Sequence, residues 1–156
     1  MEGLIRYCAT EASLAAEGLV GHVQVDWLDR ASEDPESYRA ARAWLIERGR
    51  TTEASDIAWA LLFFWVIPGH GAEGLRWYEP ILDQSPLLPS AESRALLGAT
   101  VMWCTQGELE RARTGLTRAL ALALGAGDMD MVAQAVCSRH PGGAAREPRS
   151  RNRVCA

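Results

Sequence analysis

Histidine, cysteine and carboxylate side chains are where this chain would do chemistry, and their spacing argues mostly against it. His22 and Asp26 stand four residues apart, a separation that sets two metal ligands on one helix face. No third ligand accompanies them, so a solvated hydrogen-bonded pair is the simpler reading. His70 lies between Gly69 and Gly71 without the partner acid or nucleophile a catalytic histidine needs, and reads as a turn residue with a capping role. The carboxylate pairs Asp26/Asp29, Glu33/Asp34 and Glu108/Glu110 suggest general acid–base work. Each falls at an expected helix start or outer face, where solvated charge suffices. Cys8, Cys104, Cys137 and Cys155 form neither a CxxC pair nor a disulfide framework. Cys104 follows Trp103 in an apolar stretch and reads as a small core residue. All 16 basic residues are arginine, so no GxxxxGK[ST] phosphate loop exists in the chain. These residues point to a protein that is not an enzyme and needs no metal and no cofactor.

The tryptophans carry more information. Trp44, Trp59, Trp65 and Trp103 are spaced for packing between helices, whereas Trp27 and Trp77 have more polar neighbours and are expected to face a groove. Trp27, Arg76, Trp77 and Arg113 are the candidate partner contacts.

Helical periodicity runs through the segments that hold these residues, with no convincing strand pattern. Expected helices cover about Leu4 to Glu17, His22 to Arg30, a stretch begun by Asp34 as N-cap and Pro35 and closed by Gly49, and Thr52 to Val66 with Thr52 as cap. Others follow from Ala72 to Asp83, kinked or shortened by Pro80, from Ser90 as cap to Thr105, from Glu108 to Leu124, and from Asp128 to Ser138. Two of these stretches match. Leu61, Leu62, Trp65, Gly69, Gly74, Tyr78 and Ile81 recur about 38 residues later as Ala99, Thr100, Trp103, Gly107, Ala112, Leu116 and Ala119. An apolar helix, a glycine turn and a second helix with small residues at fixed places is how a tetratricopeptide-like hairpin is written. The expected fold is all-α, with antiparallel helix hairpins stacked as a tetratricopeptide-like right-handed superhelix. Its domain is expected over residues 1–138, with irregular helices to 50, hairpins at about 52–83 and 90–124, and a partial helix over 128–138.

Composition sets outer bounds. The chain has 156 residues, 48% hydrophobic and 23% charged, enough for one sizeable core. The longest apolar run, Ile57 to Ile67, is too short for a bilayer, which needs about 20 residues. Glu2 and the missing apolar core argue against a secretory signal, so a cytoplasmic location without membrane contact is expected. Residues 139–156 hold five arginines against Glu147, a balance of +4 that leaves the body at −8. The tail is expected to be disordered. An acidic body repels phosphate, and no direct nucleic-acid contact is expected.

A family resemblance rests on particular residues. Trp27-Leu28-Asp29-Arg30, Tyr38-Arg39-Ala40-Ala41 with Ala43-Trp44, Glu47-Arg48-Gly49, and Trp65 with Gly69-His70 and Glu73-Gly74-Leu75-Arg76-Trp77 are similar to one setting. It is the helical region following the nucleotide-binding core in bacterial signal-transduction ATPase regulators of the AfsR-like and LuxR-type groups. Gln106 to Arg113 resembles a following repeat. The resemblance covers roughly residues 7 to 137. Ser32, the Asp34-Pro35-Glu36-Ser37 stretch and Gly74 depart from the usual pattern, and the text after Cys137 abandons it, as a piece of a longer regulator would. The resemblance implies a sensor or regulatory module for transcription that binds a protein or peptide partner, other domains of the same regulator, or a second copy. A freestanding peptide-binding adaptor is the alternative, followed by a small helical enzyme or ligand-binding bundle.

Overall fold

The computed structural model describes residues 1–18, 35–66, 70–84 and 86–138, and these are all helix and turn. The expected helix over His22 to Arg30, the cap Asp34, the turn glycine Gly69 and the segment 139–156 lie outside the described residues. The helices are α1 (Glu2–Gly18), α2 (Pro35–Glu47), α3 (Thr51–Ala60), α4 (Leu62–Val66), α5 (Gly71–Leu82), α6 (Pro89–Thr105), α7 (Leu109–Ala126) and α8 (Met129–Ser138).

Three glycines end helices by one mechanism. Gly49, Gly107 and Gly127 have φ of 69°, 78° and 70°, a region that penalises a Cβ. At Gly107 the amide donates to the Cys104 carbonyl (3.1 Å) and the next amide, of Glu108, donates to Trp103 (2.9 Å). The same double closure joins Gly49 and Arg50 to Ile46 and Leu45, and Gly127 and Asp128 to Leu124 and Ala123. The chain then turns at once into the next helix. After the third turn, the Asp128 carboxylate accepts the Met131 amide at 3.0 Å and caps α8.

Several expected boundaries shift. The helix expected over Thr52 to Val66 is two, divided at Leu61, and Arg50 rather than Thr52 holds the N-cap position. Near the division the Ala58 carbonyl accepts the Tyr78 hydroxyl at 2.8 Å, engaged by a side chain from outside the helix ladder. Pro89 opens α6 with Leu88 as N-cap, displacing Ser90, because the proline φ is already helical. Pro80 does not shorten α5, which continues to Leu82. A proline lacks the amide that would serve the carbonyl four residues earlier, here Arg76. The guanidinium of Arg42, on α2, donates to that carbonyl and lies 4.9 Å from the Trp77 ring centroid. Desolvation lowers the Arg42 pKa.

The main core gathers Ile5 and Cys8 of α1, Tyr38, Ala41 and Leu45 of α2, and Trp65, Trp77, Tyr78, Met102 and Trp103 from the later helices. A second cluster joins Leu96, Leu97, Ala119, Ala123, Met131 and Ala135, with Trp59 packed against both. Buried hydroxyls tie the layers: Ser55 donates to Ala91 (3.0 Å) and Ser93 to Ala119 (2.9 Å). Among the described residues no helix is long and apolar enough to cross a membrane.

Three outcomes check this packing. A Cβ on Gly98 would lie 2.3 Å from Tyr78 Cζ, so Gly98→Ala should destabilise the fold by about 1–3 kcal/mol in urea unfolding. Arg42→Met should cost about 1 kcal/mol, and less in a Pro80→Ala background, where residue 80 regains an amide for the Arg76 carbonyl; a double-mutant cycle reads the difference. Burial holds the Tyr78 pKa well above its ordinary 10.0. The unfolded chain ionises that phenol first, so stability should fall as pH rises above about 10, and fall less steeply in Tyr78→Phe.

Candidate functional site: the cleft at Trp103

The two matched stretches place their tryptophans alike. His70 donates its amide to the Trp65 carbonyl at 2.8 Å, and Glu108, 38 positions on, donates to Trp103 at 2.9 Å. Both indoles are buried, with 1% and 7% of their surface exposed. Beside each is a hollow. The first is a cavity of about 30 Å³ lined by Tyr38, Arg39, Leu61, Phe64, Trp65, Glu73 and Trp77. The second is an open cleft of about 380 Å³ whose walls include Leu96, Trp103, Arg111, Thr114, Gly115 and Arg118. Trp103, Arg111 and Gly115 stand where Trp65, Glu73 and Trp77 stand one repeat earlier.

The difference in size follows from those exchanges. In the first hollow the Trp77 ring packs 5.3 Å from Trp65, and Arg42 covers it from α2. Arg39 reaches Glu73 at 2.8 Å and narrows the mouth. In the second, Gly115 brings no side chain. Its missing Cβ would lie 2.7 Å from both Thr100 Oγ1 and Trp103 Cζ3, so α7 can approach α6 this closely only with glycine there. Thr100 replaces the apolar Leu62 of the first copy. Its Oγ1 and the Trp103 Nε1 are buried without a hydrogen-bond partner. The cleft is thus open and aromatic at its base, with these two unsatisfied atoms buried in the α6 layer rather than facing it.

Arginine sets the cleft's charge. The Arg111 guanidinium lies 4.8 Å from the Trp103 ring centroid and bonds Glu108 at 2.8 Å, with Glu79 of α5 at 3.7 Å. Those carboxylates, Glu108 first, raise its pKa. Arg118 pairs with Glu92 of α6 at 2.5 Å.

The expected site residues are scattered. Trp77 is 4% exposed and packed on Trp65, so it does not present a face to a groove as expected. Its neighbours in sequence, Glu73, Arg76 and Glu79, made its surroundings look polar. Arg76 and Arg113 are surface side chains, each 78% exposed and paired with Glu73 (3.5 Å) and Glu110 (3.2 Å) on their own helices. Trp27 lies outside the described residues, as do His22, Asp26, Asp29, Glu33 and Asp34. Cys104 is exposed rather than a core residue. His70 occupies the N-cap position of α5 but makes no side-chain capping bond. Among the described residues no three of His, Cys, Asp and Glu come together to hold a metal ion. The cleft at Gly115 was missed because attention to positions that match passes over those that were exchanged. Trp77 against Gly115 and Glu73 against Arg111 were the signal.

Over 90 residues, 58% of its length, the chain is 34% identical to proteins bearing the name HTH-type transcriptional regulator from Mycobacterium bovis and from two strains of Mycobacterium tuberculosis. It spans about a tenth of their length, 10% in each case. No family model matches the chain. No solved structure matches it. The similarity is to transcriptional regulators. It corrects one expectation, that nucleic acid is excluded as a direct partner, because HTH denotes a motif that enters the DNA major groove. Net charge averages over a whole chain and could not support that exclusion.

If Gly115 is required for the close approach of α7 to α6, Gly115→Ala should lower stability by about 1–3 kcal/mol in urea unfolding. Gly107→Ala, at positive φ with open space around it, should cost about 1 kcal/mol through backbone strain alone.

Proposed function

We propose that this chain is a non-enzymatic protein-interaction segment of a larger transcriptional regulator, a tetratricopeptide-like stack that holds or senses another part of that regulator. The observation that carries the reading is the recurrence in space of one hairpin closure, Trp65 with His70 and Trp103 with Glu108. A unit repeated in this way buries its apolar face on its neighbours and leaves long side surfaces for a partner. Similarity to regulators of which it matches only 10% of the length supports a role as one segment among several. In the regulators it resembles, of the AfsR-like and LuxR-type groups, the attached nucleotide-binding core is the partner we favour. Binding would act by favouring one arrangement of that core over another. Arg76 and Arg113 are the exposed contacts in this reading.

Co-expression with the nucleotide-binding core of such a regulator, followed by co-purification, tests it. A complex of fixed stoichiometry is expected. The double variant Arg76→Glu/Arg113→Glu should lose it while keeping stability within about 0.5 kcal/mol, as surface substitutions do. Purification of the chain without the core, under conditions where both are folded, would overturn the proposal.

A further inference from the structure

Helix α6 has two working faces. Ala95 and Ala99 look back into the main core. Ser93, Leu96, Leu97 and Thr100 look forward and are buried under α7. The Ser93 hydroxyl donates to the Ala119 carbonyl, Leu96 and Leu97 share a cluster with Ala119 and Ala123, and Thr100 meets the bare backbone of Gly115. Helix α8 repeats the backward half of this plan. Met131 and Ala135, four residues apart like Ala95 and Ala99, are buried in the cluster that holds Leu96, Leu97, Ala119 and Ala123. The spacings that lead from Ala95 to the forward residues of α6 lead from Met131 to Met129, Val132, Ala133 and Val136. All four are apolar. Met129 and Val136 are 66% and 47% exposed, Ala133 is exposed and Val132 is half-buried. Helix α8 therefore carries a second apolar face, open where its counterpart on α6 is covered.

We propose that this face binds the same face of a second copy of the chain, α8 against α8 about a twofold axis. Continuity with the existing packing selects that occupant. Val132 already packs against the second cluster, so a helix laid on α8 extends that cluster across the axis. Helix α7 covers α6 as its antiparallel neighbour across the Gly107 turn, and twofold symmetry sets α8 antiparallel to its copy. The face is centred between Val132 and Ala133. Antiparallel pairing thus brings Met129 against the partner's Val136, and Val132 against the partner's Ala133, with apolar surface leaving water on both sides. No charge stands in the way. Asp130 corresponds to Arg94, which points back to Asp56 of α3, and the Asp128 carboxylate is turned onto the Met131 amide. Residues 139–156, with five arginines and no apolar periodicity, offer no matching face from within the chain. The pairing leaves Arg76 and Arg113, on α5 and α7, free for the contacts proposed above.

Two ten-residue helices make a small interface, so the dimer is a weak one, formed at about 100 μM chain and dissociating near about 1 μM. Light scattering on the full chain should give twice 17.0 kDa at the higher concentration. Met129→Arg and Val136→Glu change exposed positions and should keep the helical circular-dichroism signal, yet each should stay at 17.0 kDa. An equimolar mixture of the two should regain the doubled mass, because the register sets residue 129 of one copy against 136 of the other. Leu109→Glu, equally exposed but on the first turn of α7, should dimerise as the unaltered chain does. A monomer at about 100 μM, variants that dimerise unchanged, or a mixture that stays at 17.0 kDa overturns the pairing. A monomer whose hold on the nucleotide-binding core is lost in Val136→Glu assigns the face to that core instead and also overturns it. A monomer that binds the core regardless of Val136 refutes the pairing alone and leaves the proposed function standing.

Discussion

Tyr78 is the point on which the packing of this molecule depends. Its side chain is fully buried, its hydroxyl donates to the Ala58 carbonyl of α3, and its ring lies on the bare backbone of Gly98 in α6. One residue of α5 thereby fixes the approach of two other helices. The donor is satisfied by a carbonyl at the edge of a helix break, so a polar group enters the core at little cost. The ring fills the room that Gly98 leaves. Trp65 adds an edge contact from α4 at 6.0 Å, and the tryptophan layer continues to Trp77.

Around that point the chain solves one problem repeatedly, bringing helix backbones close by omitting side chains. Gly71 and Gly74 of α5 lie on Thr105 and Met102 of α6, and Gly115 of α7 lies on Thr100 and Trp103. At Gly115 the omission has a further effect. Where the first copy packs the Trp77 indole on Trp65, the second sets the α7 backbone itself against Trp103. Arg42 shows the converse. It supplies a donor to the carbonyl that Pro80 leaves free and covers the exposed side of Trp77, joining α2 to α5.

Much of the scaffold was legible before any coordinates. The glycines at 49, 107 and 127 end helices because the left-handed conformation nearly demands glycine, a local property. Asp128 caps α8 for an equally local reason. The break at Leu61 and the uninterrupted α5 were not legible, since both depend on side chains arriving from elsewhere: Tyr78 in one case, Arg42 in the other. Trp77 was misplaced for the same reason. Its neighbours in sequence are polar, but its neighbours in space are Trp65 and the flat face of a guanidinium.

By itself the sequence determined the helical class, the 38-residue recurrence and the glycine stops, because these follow from periodicity and backbone freedom within a few residues. Only the tertiary structure decided which tryptophan is covered and which hollow stays open. Those outcomes depend on how near two helices come, and that distance is set by pairs of residues far apart in the chain.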